Sequence, residues 1–138
     1  MNTPAFALDP RLEHDTHPVA SLTLCDARLM DDLRFRWLIL VPRRAGAVEI
    51  ADLSAEDRTQ LWAEVDQCAA ALRSTGPCTK LNLGALGNVV PQLHVHVVAR
   101  MEGDSAWPGP VWGCAGRMAY AQNLLEQRIG ALHKALAG

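Results

Sequence analysis

The stretch Pro91-Gln92-Leu93-His94-Val95-His96-Val97-Val98-Ala99-Arg100 decides how the rest of this 138-residue chain is read. Its valines give it strand character, and the proline at its mouth sits where a missing N–H is tolerated. Side chains alternate across a strand, so Gln92, His94 and His96 are expected on one face, with Leu93, Val95 and Val97 turned to a core on the other. An amide and two imidazoles, spaced roughly 6.5–7 Å apart along the strand, then line one surface.

Working outward, residues 78–84 read as a further strand, with Leu81 and Leu83 on one face and Lys80 and Asn82 on the other. The glycine-containing loop 84–90 joins it to the opening strand as a β-hairpin, which brings Asn82 beside the histidines. Trp37-Leu38-Ile39-Leu40-Val41, ended by Pro42, is a near-continuous apolar run of the kind a central strand buried on both faces carries. A less strict alternation predicts one strand over residues 19–30, and residues 47–50 suit a short extended piece. The clearest helix opens at Ser54, with Asp57 three residues on and acidic residues in its first turn. Leu61, Val65, Cys68, Ala69 and Leu72 then fall on one helical face, and Gly76-Pro77 ends it. A short helical turn is predicted at residues 8–17, with Asp9 as its cap and Pro10 at its first position. The last helix, over residues 117–137, carries Met118, Ala121, Leu125, Ile129, Leu132 and Leu136 on one stripe. Strands, helix, strands, helix argue for an α+β fold with an antiparallel sheet in a single domain spanning residues 1–138.

Hydrophobic residues make up 49% of the chain and charged ones 20%, with a formal net charge of −2. That balance excludes a disordered tail and a basic nucleic-acid surface, so no nucleic-acid polymer is expected as partner. No apolar run approaches a membrane span, and residues 1–10 lack a basic stretch followed by an apolar one, so the expected location is cytoplasmic. The four cysteines are scattered with no C-x-x-C pair, which fits reduced thiols rather than a disulfide framework or zinc ribbon.

Three readings of His94-x-His96 stand side by side. The pair can be structural, satisfied by hydrogen bonds on a half-polar strand face. It can share a cation, with further ligands from His14, His17, a cysteine or Glu102. Or one ring can be a nucleophile: a neutral imidazole attacks phosphorus at pH 7, and a carbonyl on its other nitrogen would fix the tautomer. The second imidazole and the amide would then donate to the non-bridging oxygens.

In this setting Gln92-Leu93-His94-Val95-His96-Val97-Val98 resembles the His-φ-His-φ-His-φ-φ signature of the histidine triad (HIT) family of nucleotide hydrolases and transferases, φ being apolar. The likeness covers most of the chain and includes the strand ending Pro42-Arg43-Arg44, the helix after Ser54 and the strand carrying Asn82. Trp107-Pro108-Gly109-Pro110-Val111-Trp112-Gly113 is similar to a stretch in small bacterial HIT proteins described as diadenosine tetraphosphate hydrolases. The resemblance implies a HIT-like sheet of about five antiparallel strands covered by a central helix, with a C-terminal helix. It implies His94 as nucleophile toward the α-phosphorus of a dinucleoside polyphosphate, forming a nucleotidyl-histidine that water resolves. It implies His96 as a donor to phosphate oxygens that orients His94, with Gln92 at the first triad position. Asn82 and Asn88 would contact phosphate, ribose or leaving group, and Asp31 or Asp32 the ribose hydroxyls. It implies no cofactor and no metal, and a homodimer paired through a face such as the helix after Ser54. Two positions depart from the family. Gln92 cannot act as an acid at neutral pH, and Trp37 stands where many members carry a further histidine. The expectation is therefore a preference for polyphosphate leaving groups over amines, or a nucleotide-sensing module with little turnover. The 107–113 stretch serves as a cover or as a substrate contact.

Overall fold

The computed structural model describes residues 4–137. Its strands are β1 (Thr16–Ser21), β2 (Cys25–Met30), β3 (Arg36–Pro42), β4 (Lys80–Gly84) and β5 (Val95–Arg100), and its helices α1 (Pro10–Asp15), α2 (Ala55–Ser74) and α3 (Gln122–Ala137). The strands form one antiparallel sheet in the order β1-β2-β3-β5-β4. This is the α+β architecture expected, with a covering helix and a C-terminal helix. Among these residues no helix is long and apolar enough to cross a membrane.

The apolar run of β3 explains the layering. Leu38 and Leu40 face a core closed by Leu61, Val65, Cys68 and Leu72 of α2 and by Leu125, Leu132 and Leu136 of α3. Trp37, Ile39 and Val41 face the other way, onto Val98, Leu12, Val90 and Val111. Helices therefore cover one face of the sheet. The opposite face is covered by α1, the β4–β5 loop and the tryptophan-rich segment after β5. β5 is buried along its whole length because both layers meet on it.

Boundaries moved where distant contacts outweighed local pattern. The strand expected over 19–30 is a hairpin of β1 and β2, closed by Leu22 N donating to Cys25 O. Glu64 of α2, 1% exposed, accepts from Leu24 N and Cys25 N at 2.8 Å each and so ties the helix to that turn. The turn expected over residues 8–17 is the shorter α1, and Pro18, just past it, lies inside β1, an edge strand where a missing N–H is tolerated. Residues 47–50 form no strand, since the Asp52 carboxylate takes Val48 N and Glu49 N and winds the chain into a 3-10 turn at Ile50–Asp52. α3 starts at Gln122 rather than near residue 117, because the segment before it is bound to the β2–β3 turn, which leaves Met118 exposed. α2 opens as expected, with Ser54 Oγ accepting from Asp57 N at 3.1 Å. Its far end is capped by Arg36, whose guanidinium donates to Leu72 O and Pro77 O. A side chain at Gly76 would meet that guanidinium at 2.8 Å, so the glycine is needed for the cap.

The cysteines follow their burial. Burial pushes the Cys25 thiol well up and the Cys68 thiol up to about 12, in both cases with the Glu64 carboxylate adding to the effect. Cys78 and Cys114 are only partly covered. A thiol titration of the native protein is expected to modify two of the four cysteines quickly and the other two only on unfolding.

Candidate active site

β5 begins at Val95, so the strand is shorter at its N-terminal end than the valine pattern predicts. His94 immediately precedes it, after Leu93, whose N–H donates to Ala47 O and whose side chain enters the helix-side core. His94 and His96 lie on the opposite face, 7% and 5% exposed, with ring centroids 4.9 Å apart and planes at 65°. His94 Nδ1 is 2.7 Å from Gln92 O. A carbonyl only accepts, so in the neutral ring Nδ1 carries the proton and Nε2 the lone pair. His96 Nδ1 is 2.9 Å from Trp37 Nε1. Burial, and then the neighbouring His94, press the His96 pKa down to about 3, which leaves the ring neutral at physiological pH.

Two tryptophans wall the pair. The Trp37 ring centroid is 5.6 Å from that of His96, and Trp112 lies edge-on at 5.4 Å. Gly84 stands opposite His96 in the β4–β5 ladder, and a Cβ there would meet the Trp112 ring at 3.0 Å. The glycine thus leaves the room in which Trp112 reaches the histidine. Trp112 Nε1 is buried without an acceptor among the described residues. A small cleft beside His94 is lined by Val48, Glu49, Leu86, Gly87 and Gln92, with Val48 and Leu86 both largely exposed at its rim. No group of three or more His, Cys, Asp or Glu among the described residues is arranged to hold a metal ion.

The remaining sequence-derived candidates fall in different places. Gln92 contributes its backbone carbonyl to His94, while its side chain is turned to the N-terminal segment: Oε1 accepts from Asp9 N and Nε2 donates to Ala7 O, both at 2.8 Å. Asn88 is exposed in the β4–β5 loop. Asn82 is opposite Val98, on the histidine face, and its Oδ1 accepts from Arg100 Nη1 at 2.8 Å. Asp31 and Asp32 are not gathered with the histidines. Asp31 binds Arg117 and Tyr120 N and faces His17 at 3.2 Å, while Asp32 binds Arg34 in two contacts. Both sit before Arg36, which pairs with Ala99, whereas His94 lies at the other end of β5. Their carboxylates hold the segment from Arg117 to Tyr120 against the sheet.

Local patterns do not place three further contributors, although the family resemblance singles out Trp37 and the 107–113 stretch. Trp37 acts across strands, and only the pairing of Trp37 with Val98 puts it diagonal to His96. Trp112 arrives from a segment without regular structure. The Arg100–Asp104 pair fastens that segment: Arg100, 2% exposed, binds both Asp104 oxygens at 2.8 Å, and Asp104 also accepts from Trp107 N.

With this geometry in place, comparisons with known proteins point one way. The family model described as HIT domain matches residues 11–103. A solved histidine triad protein of Bradyrhizobium japonicum is 44% identical, with 96% of this chain and 99% of that one covered at a TM-score of 0.94. One from Sinorhizobium meliloti 1021 is 45% identical over 94% and 96% of the two chains, with a TM-score of 0.92. One from Marinobacter aquaeolei VT8 is 39% identical over 97% and 98%, with a TM-score of 0.94. A hypothetical histidine triad nucleotide-binding protein from Sulfolobus tokodaii, 16% identical, shares the fold at a TM-score of 0.68. A comparison with curated proteins finds no match.

Proposed function

The chain belongs to the HIT domain family, and from that premise we propose that it is a nucleotide hydrolase opening a phosphoanhydride at the α-phosphorus, with His94 as the covalent nucleophile. The observation that carries the reading is the 2.7 Å contact between His94 Nδ1 and Gln92 O, which sets the proton of the neutral ring on Nδ1 and its lone pair on Nε2. In the first step the Nε2 lone pair forms an N–P bond and the P–O bond to the leaving phosphate breaks, its electrons staying on that oxygen. The positive charge that develops on the ring is stabilised by the same carbonyl. In the second step water adds to phosphorus, the N–P bond breaks, and the ring recovers its lone pair while the water proton passes to solvent. The products are a nucleoside monophosphate and the residual nucleotide.

Neutral His96 donates to a non-bridging oxygen in this scheme. Asn88, exposed in the loop beside His94, is the proposed contact for the leaving phosphates. Asn82 keeps its amide NH2 as a donor, while its oxygen is engaged by Arg100. Asp31 and Asp32 are assigned to the clamp on residues 115–120 and not to substrate. With the Gln92 side chain committed to Ala7 and Asp9, no acid stands at the first triad position, which favours a dinucleoside polyphosphate over a phosphoramidate. The same commitment favours, as a second reading, a nucleotide-binding module with weak turnover.

One measurement separates the two. Labelled diadenosine polyphosphate is mixed with the protein and quenched in base, and the protein is examined by mass for a nucleotidyl adduct and the supernatant for mononucleotide. Adduct and product support the hydrolase. Binding with neither rejects it in favour of the sensing module.

A homodimer belongs to the same proposal. β4 is the open edge of the sheet, Leu83 on it is 47% exposed, and Trp62 on the outer side of α2 is 50% exposed. Light scattering is expected to give twice the 15.0 kDa chain mass, and a Leu83→Lys change to shift it toward one.

A further inference from the structure

We propose that Trp37 is a positioning residue that locks His96 as a permanent Nε2–H donor beside the His94 lone pair, so that His96 stabilises charge and takes no part in proton transfer. The catalytic half of this inference rests on the nucleotidyl reading above, while the tautomer does not.

The argument starts from hydrogen-bond inventory. An indole N–H can only donate, so the 2.9 Å contact requires a lone pair on His96 Nδ1. A neutral imidazole with an unprotonated Nδ1 carries its proton on Nε2. That nitrogen, turned away from Trp37, has no partner among the described residues and is free to donate to a ligand oxygen. His94, bonded through Nδ1–H to Gln92 O, is held in the opposite tautomer. A lone pair and an N–H donor are thereby set on adjacent rings 4.9 Å apart. Attack on a phosphate needs this combination, a nucleophile aimed at phosphorus and a donor for the oxygen that gains charge.

Packing keeps Trp37 from releasing the contact. It is 7% exposed and lies edge-on to Phe35 at 6.3 Å and to Trp112 at 6.4 Å. A second proton on His96 would set Nδ1–H against the indole N–H in a buried space. Among the described residues, His94 is the titratable group that bears on His96, and it too opposes a positive charge there. His96 therefore cannot pass a proton to a leaving group, nor can the Gln92 amide. The substrate class that fits has a leaving group able to depart as an anion, a phosphate rather than an amine.

The test begins with wild type and needs no turnover. In 15N-labelled protein, long-range 1H–15N spectra are expected to show His96 with unprotonated Nδ1 and protonated Nε2, unchanged from about pH 5 to 8. A protonated Nδ1, or a titration within that range, overturns the proposal even if the protein proves to be a hydrolase. Trp37→Phe keeps an aromatic ring and removes the donor. It is expected to lower kcat about tenfold with KM within about twofold, because a buried acceptor loses its partner and the tautomer is released. Unchanged kcat in a folded variant overturns the positioning role. If Trp37→Phe does not fold, benzothienylalanine at position 37, with sulfur in place of N–H at nearly the same volume, gives the same reading. Should wild type show the expected tautomer and no turnover, the hydrolase reading fails and the lock stands.

Discussion

Replacing His94 with alanine is expected to cut hydrolysis of a dinucleoside polyphosphate by at least about a thousandfold, the scale on which removal of a covalent nucleophile acts. No other described side chain presents an unprotonated nitrogen at the same spot: His96 Nδ1 is occupied by Trp37, and the Gln92 amide is tied to Ala7 and Asp9. The adduct should vanish with the activity. The fold should persist, because His94 lies outside β5 and, among the described residues, the ring's one hydrogen bond is to Gln92 O. Steady-state rates, intact mass and a thermal melt check the three parts together. A variant that melts like wild type and still turns over at its rate would refute His94 as nucleophile.

The largest effect on stability is expected at Asp104. Asp104→Ala leaves the Arg100 guanidinium, 2% exposed, without its anion and strips acceptors from Met101 N, Ala106 N and Trp107 N. Breaking a buried pair by removing one partner costs about 3–5 kcal/mol, and in a chain of this size the thermal midpoint should fall by roughly 10–20 °C. Arg100 lies over both Phe35 and Trp107, with centroid distances of 5.8 and 5.7 Å. Its loss of order would therefore loosen the segment that brings Trp112 to His96, and activity should fall along with stability. The pH dependence has a definite sign. Hydrogen bonds from Arg100 hold the Asp104 carboxyl at about 2, below its ordinary 3.8. A depressed folded value means stabilisation that is complete above the ordinary value and lost as pH falls from about 4 to 2. Thermal melts across that window should decline more steeply for wild type than for Asp104→Asn, which keeps the shape but has no charge to lose.

Much of the architecture was legible locally. The run at Trp37–Val41 and the apolar face of α2 gave a central strand and its covering helix, since burial on both faces leaves an unbroken apolar run and burial of one stripe a helical period, each recognisable without a partner. The Ser54 cap was readable for the same reason, its acceptor and donor being three residues apart. His94 and His96 were legible as a same-face pair through strand alternation. Pro18 and Met118 show where such reading stops. A proline is tolerated only once its strand is known to be at an edge, and Met118 left its helical stripe because Asp31, Asp32 and Leu33 bind the segment outside the helix.

What this sequence determined by itself is the central strand, its covering helix, the C-terminal helix, and two imidazoles aimed to one side of a strand, because these follow from patterns within a few residues. Only the tertiary structure decided what surrounds those imidazoles. The β3–β5 register sets the Trp37 N–H against His96. A return of the N-terminal segment engages the Gln92 amide with Ala7 and Asp9, leaving its carbonyl for His94. A buried arginine–aspartate pair fastens the segment that carries Trp112 to the histidines, and Asp31 and Asp32 bind the segment before the last helix. Each depends on which distant segments meet. That is settled by the free energy of the packed whole, and no local pattern records it.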